Sequence, residues 1–201
     1  MNRRNALLAP LALALLAAAP ARAQLSLSQI SAYLNGLTSA ETDFSQVGSD
    51  GSKSRGRLIL QRPNRMRFEY QGRDAALVLA SSGSVAIFDP KSNQPPEQYP
   101  LRRTPLSLIL GPRVDLTKAR MVVDHGEENG LTTVTAQDPE HPEYGTIRLY
   151  FSQSPIALRQ WVVTDDAGGQ TLVRLGSLQV GGSYPASLFD IAGETERRAS
   201  R

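Results

Sequence analysis

Polar and apolar positions alternate in twos through most of this chain and recur at helical spacing in two short places. From Arg65 to Tyr70, the side chains of Arg65, Arg67 and Glu69 fall on one side and those of Met66, Phe68 and Tyr70 on the other, the period of a half-buried strand. The same reading predicts strands over 41–47, 56–62, 74–80 and 84–88, separated by the turn sequences SDGS, RPN, QGR and SSGS. Four or five more are predicted over 119–181, with DDAGGQ as a hairpin turn. Apolar positions gather into broad faces: Leu58 and Leu60; Met66, Phe68 and Tyr70; Leu77 and Leu79; Val85 and Ile87; Ile147, Leu149 and Phe151. About ten short, consecutively connected strands predict a mainly β fold, a single antiparallel sheet curling toward a barrel.

The helical places are few. Leu27, Ile30, Leu34 and Leu37 recur at helical spacing, with Ser26 or Ser28 as a cap and Gly36 near the end, which predicts an amphipathic helix of about three turns. In TPLSLILG, Thr104 caps a second helix that starts at Pro105 and stops at Gly111. This helix is apolar at nearly every position, including Leu106, Leu108 and Ile109, so it has to be covered on more than one side. A helix stoppering an open barrel meets that demand. YPASLFDIA reads as a further brief helical turn, and the charged tail GETERRASR, residues 193–201, reads as frayed.

Pro63 removes a ladder donor and fixes its own φ, so strand pairing breaks beside it and the chain turns through Pro63-Asn64. Arg62 therefore sits at the lip of the sheet. Whether that lip is a plain edge, with the arginine in water, or the mouth of a barrel decides what the arginine does there.

The first 23 residues carry Arg3 and Arg4, an apolar run from Ala6 to Ala19 interrupted by Pro10, and the small-residue site Ala21-Arg22-Ala23. These are the three parts of a secretory signal peptide. Ala6 stands where a twin-arginine signal has an aromatic residue or leucine, so the general secretory route is expected. The predicted mature chain, 24–201, is a single domain. Of the 22 Lys+Arg, Arg3, Arg4 and Arg22 lie in the leader, which leaves 19 bases against 19 acids. A net-neutral exported protein is poorly suited to nucleic acid, which demands a phosphate-neutralising surface. The chain has no cysteine, so its stability rests on the core, and a lipid-modified N-terminal cysteine is excluded.

Candidate chemistry is sparse. His125 in DHGEE and His141 in PEHPEYG both fall in polar, turn-like segments, and neighbouring turn carboxylates seldom converge on one metal ion. No G-x-S-x-G elbow, P-loop or H-E-x-x-H is present. No catalytic residue, cofactor or metal site is expected.

Phe44-Ser45-Gln46, Gly56-Arg57-Leu58, Arg62-Pro63-Asn64, Met66-Arg67-Phe68-Glu69-Tyr70, then SSGSVAIFDP and TPLSLIL, stand in an order and spacing that resembles the periplasmic outer-membrane lipoprotein carrier proteins (LolA). The resemblance covers essentially the whole mature chain. It implies an unclosed antiparallel β-barrel with a lid of short α-helices and no enzymatic activity. It also implies a monomeric periplasmic chaperone that takes acylated lipoproteins from an inner-membrane releasing transporter and delivers them to an outer-membrane acceptor or to the membrane itself. Arg62 would latch the lip to carbonyls of the lid. Leu58, Leu60, Met66, Phe68, Tyr70, Leu77, Leu79, Ile87, Leu106, Leu108, Ile109, Leu149 and Phe151 would line the cavity for the acyl chains. A related lipid-binding or sensor domain with another cargo is the alternative, and an envelope lipid-acting enzyme a more distant one.

Overall fold

The computed structural model describes residues 24–72, 75–92, 94–104 and 106–200; the predicted signal peptide lies outside the described residues. Helix α1, Leu27–Gly36, begins with a capping box in which the Ser26 side chain accepts from Gln29 N and the Gln29 side chain accepts from Ser26 N. Ile30 and Leu34 on one face are fully buried, as the helical spacing requires.

Twelve strands form a single antiparallel sheet. The first half is a meander of β1 (Ser39–Val47), β2 (Lys53–Gln61), β3 (Arg65–Tyr70), β4 (Leu77–Ser81), β5 (Ser84–Phe88) and β6 (Glu97–Pro100). The second is a meander of β7 (Val122–Glu128), β8 (Leu131–Gln137), β9 (Thr146–Gln153), β10 (Ile156–Thr164) and β11 (Gln170–Leu175). β1 pairs with β11 and joins the halves, and the two-residue β12 (Gln179–Val180) pairs with β1. The order β6-β5-β4-β3-β2-β1-β11-β10-β9-β8-β7 leaves β6 and β7 as separate edges. The sheet is an unclosed barrel.

Between the two edges runs residues 101–121, which carries a short 3-10 turn, Leu101–Arg103, and helix α2, Ser107–Leu110. Inward-facing positions of the strands pack with both helices into one core: Phe44, Leu58, Leu60, Met66 and Phe68 from β1–β3, Val134, Leu149, Phe151 and Leu158 from β8–β10, Ile30 and Leu34 from α1, and Leu108, Ile109 and Leu110 from α2.

The structure departs from the sequence reading in five places. Leu77 and Leu79 do not share a face with Met66 and Phe68: β4 pairs Met66 with Ala80 and Phe68 with Val78, which turns Leu77 and Leu79 to the outer face beside Glu69 and Arg67. There they pack with Ala86, Phe88 and Ile191 in a second, smaller core. Residues 193–199 of the tail, which was read as frayed, belong to helix α3, Ile191–Ala199, which covers that outer core with a 3-10 turn, Ala186–Phe189. The DHGEE segment is strand β7 rather than a turn, and β6 follows Pro96 where no strand was expected. Thr104 does not cap α2; its hydroxyl donates to Leu101 O at 2.8 Å, and no side chain caps the helix.

Candidate functional site

The lip of the barrel is built by the tight connection from β2 to β3. Arg62 N donates to Thr38 O at 2.7 Å, just past α1, which fixes the backbone at the end of the ladder. The next residues turn through Asn64 at φ 62, a left-handed position that asparagine tolerates. Asn64 N then donates to Leu110 O at 2.8 Å and Arg62 Nη2 donates to Gly111 O at 2.6 Å. Both acceptors sit at the C-terminal end of α2, where carbonyls lack helical partners and attract a cation.

Arg62 Nη2 also reaches Asn35 Oδ1, on the last turn of α1, at 3.4 Å. Asn35 holds the return of the lid in turn: its Nδ2 donates to Val114 O at 2.8 Å and its Oδ1 accepts from Val114 N at 2.9 Å. One turn earlier, Ser31 Oγ accepts from Leu116 N at 2.9 Å and donates to Leu27 O at 2.7 Å. Burial holds the Arg62 pKa below its ordinary value, and its buried Nε has no hydrogen-bond partner. The latch is thus one short charge-assisted bond and a longer one, with part of the guanidinium desolvated and uncompensated.

Beneath the lip, β1, β2 and β3 meet in an aromatic group. Phe44 and Phe68 stack with centroids 3.8 Å apart, Tyr70 meets both edge-on at 5.1 and 5.2 Å, and Trp161 leans on Phe68 at 5.9 Å. Gly56, opposite both Phe44 and Tyr70 in the register, makes this possible. A Cβ there would stand 2.5 Å from the Phe44 ring and 2.1 Å from Glu69 O. Tyr70 OH donates to Gln46 Oε1 at 2.7 Å, and burial pushes its pKa up to about 12. Tyr33 OH accepts from Leu158 N at 3.2 Å, and burial likewise raises its pKa. Both phenols are neutral at physiological pH, so the polar groups they bring to this interior carry no charge.

Of the sequence-predicted lining, Leu58, Leu60, Met66, Phe68, Tyr70, Leu106, Leu108, Ile109, Leu149 and Phe151 converge on the main core. Ile87 pairs with Val78 on that same side but is 37% exposed, and Leu77 and Leu79 lie outside, as described above. Phe44 and Trp161 were missed as lining residues. The alternation Thr42, Phe44, Gln46 opposite a glycine was the available signal for the first; β10 bulges at Arg159, which shifts the phase around the second. The interior was expected to be an open cavity. Its own side chains and the two helices pack together inside it, and grooves of about 520, 390 and 340 Å³ lie outside it.

An apolar core is thus covered by a mainly apolar helix that is tied down by a handful of polar bonds at one rim. Known proteins share its sequence pattern. Residues 35–192 match the family model described as outer membrane lipoprotein carrier protein LolA. The chain is 24% identical over 182 residues to an outer-membrane lipoprotein carrier protein of Chromobacterium violaceum, covering 87% of this chain and 86% of that one. It is 26% identical over 174 residues to one of Dechloromonas aromatica, covering 82% of each. A solved LolA superfamily protein from Nitrosomonas europaea superposes with a TM-score of 0.41 at 8% identity, over 83% of this chain and 98% of that one. With the family pattern running through well over half of its length, from the end of α1 to the start of α3, this chain belongs to the outer-membrane lipoprotein carrier family, LolA.

Proposed function

We propose that this protein is a periplasmic chaperone that encloses the acyl chains of lipoproteins inside the barrel, under α2, and carries them from the inner to the outer membrane. The observation that supports this reading most is the lid: four consecutive residues, Ser107–Leu110, of which Leu108, Ile109 and Leu110 are buried, rest on an apolar interior, with Asn64 bonded to Leu110 O, Arg62 to Gly111 O just past the helix, and Asn35 of α1 to Val114 beyond it.

Since the closed interior is packed, loading begins with the lid lifting. Each methylene of an acyl chain that replaces water-exposed surface contributes about 0.8 kcal/mol, enough to hold a multiply acylated anchor that is otherwise insoluble. The energy of opening the lid is subtracted from that gain, and closing again over an empty barrel favours release. Energy for the direction of transfer comes from partners, an inner-membrane releasing transporter and an outer-membrane acceptor or bilayer. The signal peptide at 1–23 delivers the chain to the periplasm, where it acts as a monomer without enzymatic chemistry.

The test is a pull-down with the purified mature protein, comparing an acylated lipoprotein with the same polypeptide lacking its acyl chains. Recovery of the acylated form alone is expected. Equal recovery of both, or recovery of neither, contradicts the carrier reading, and a different co-purifying lipid redirects it to another cargo.

A further inference from the structure

The segment joining β6 to β7 is a basic stretch of surface. Residues 101–121 carry Arg102, Arg103, Arg113, Lys118 and Arg120 against a single acid, Asp115, in a mature chain whose bases and acids are equal in number. All five cations are exposed. Lys118 pairs with Asp115 at 3.8 Å, whereas the four arginines make no ion pair with any described residue.

The fold draws these arginines together. Arg102 borders the 390 Å³ groove with Asn64, Gly111 and Pro112, which places it near the sequence neighbours Arg65 and Arg113. With Arg103 it also borders the 340 Å³ groove, whose wall includes Met121, next to Arg120. Asp138 and Glu140 flank that second groove; Asp138 is buried and accepts from Glu140 N at 2.9 Å, which leaves Glu140 as its exposed acid. At the two ends of the segment, Tyr99 and Val123 are 46% and 55% exposed. Cations spread beside exposed apolar side chains, around the lid, match a diffuse layer of anionic headgroups over hydrocarbon better than one fixed acidic pocket.

We infer that this arginine face docks the carrier onto bilayers containing anionic phospholipid, with the lid turned toward the membrane. Its purpose rests on the carrier reading, since docking there would set the exit for acyl chains against the bilayer. The binding itself involves no cargo and is tested without it.

The experiment is co-sedimentation of the mature protein with phosphatidylcholine vesicles, with and without phosphatidylglycerol, across a salt series. Binding is expected only with phosphatidylglycerol, weakening as salt rises. The triple variant Arg102→Gln, Arg103→Gln, Arg120→Gln should bind roughly a hundredfold less tightly, about fivefold per charge removed. A control triple, Lys53→Gln, Arg55→Gln, Arg174→Gln, removes the same net charge from exposed positions near the β1–β2 turn and should bind like the parent. No binding to phosphatidylglycerol, salt-insensitive binding, or an equal loss in both triples overturns the inference. So does capture of soluble polyglutamate together with failure to bind vesicles, because the partner is then an acidic protein surface. If vesicles bind while the acylated pull-down fails, the docking face stands and the carrier reading falls.

Discussion

In the carrier function we propose, Arg62 is the residue on which opening and closing turn. Its 2.6 Å bond to Gly111 O and the backbone bond from Asn64 to Leu110 O fix the end of the lid helix to the barrel rim. A charge-assisted bond of this kind contributes about 1.5–3 kcal/mol, and the partnerless buried Nε brings the net value toward the low end. Arg62→Leu should therefore populate the open form without disturbing strand pairing. Hydrogen exchange over 108–111 should accelerate while the β2–β3 ladder stays protected, and lipoprotein should accumulate on the variant because it gains less by closing empty. Arg62→Lys should fall between, since an ammonium keeps the charge but loses the planar fork. Parental exchange and parental loading in Arg62→Leu would make this an ordinary edge arginine. The position was legible because a proline beside it ends a ladder. Its partner Asn35 was not, because a single polar residue on the solvent side of a helix shows no sign in the sequence of the chain segment that will return to it 79 residues later.

At the scale of elements, the inward face of a strand was legible where only one side is buried and was not where both are. In β3, polar Arg65 and Glu69 mark the outside and fix the phase. In β4, LVLAS is apolar on both sides because the barrel covers Val78 and Ala80 while α3 and its preceding turn cover Leu77 and Leu79, so alternation could not assign a face. The tail looked frayed for the same reason: its charges satisfy one another. Glu194 is buried, accepts from Arg197 Nη2 and Arg198 Nε at 2.8 Å each, and lies 3.7 Å from Arg67 on β3. Arg67 Nη1 also donates to Leu188 O at 3.3 Å, and Arg198 lies 5.1 Å over the Phe88 ring. Burial works against ionisation of Glu194, but the hydrogen bonds from Arg197 and Arg198 and the charge of Arg67 outweigh it and hold the carboxyl below its usual range. A depressed folded pKa gives stability that is complete above the unfolded value, about 4.3, and lost as pH falls through the folded one. Exchange protection over 186–199 should thus be constant from neutral pH to about 5 and decline below about 4. Glu194→Gln should lose roughly 1–3 kcal/mol at neutral pH and flatten that decline. A helix whose protection ignores both changes is held by Phe189 and Ile191 alone.

For the whole molecule, the strand count and short turns pointed to one curled antiparallel sheet, and its two free edges, β6 and β7, are what would let it open in the carrier role we propose. A closed barrel has no edges for a lid-bearing segment to bridge. Here the chain leaves one edge, crosses by way of α2 and the anchors on α1, and returns to the other, so the two halves of the sheet share a single apolar interior. Whether an acyl chain lies in that interior is read most directly by photo-crosslinking in the periplasm with a benzoyl-phenylalanine placed at Phe68 or Trp161, which face it, or at Tyr144, which is exposed outside it. Crosslinks to lipoprotein are expected from Phe68 and Trp161, disappearing when the cargo cannot be acylated, and none from Tyr144. Crosslinks of equal yield from all three positions, or crosslinks from the interior that persist without acylation, would contradict an acyl chain held inside the barrel.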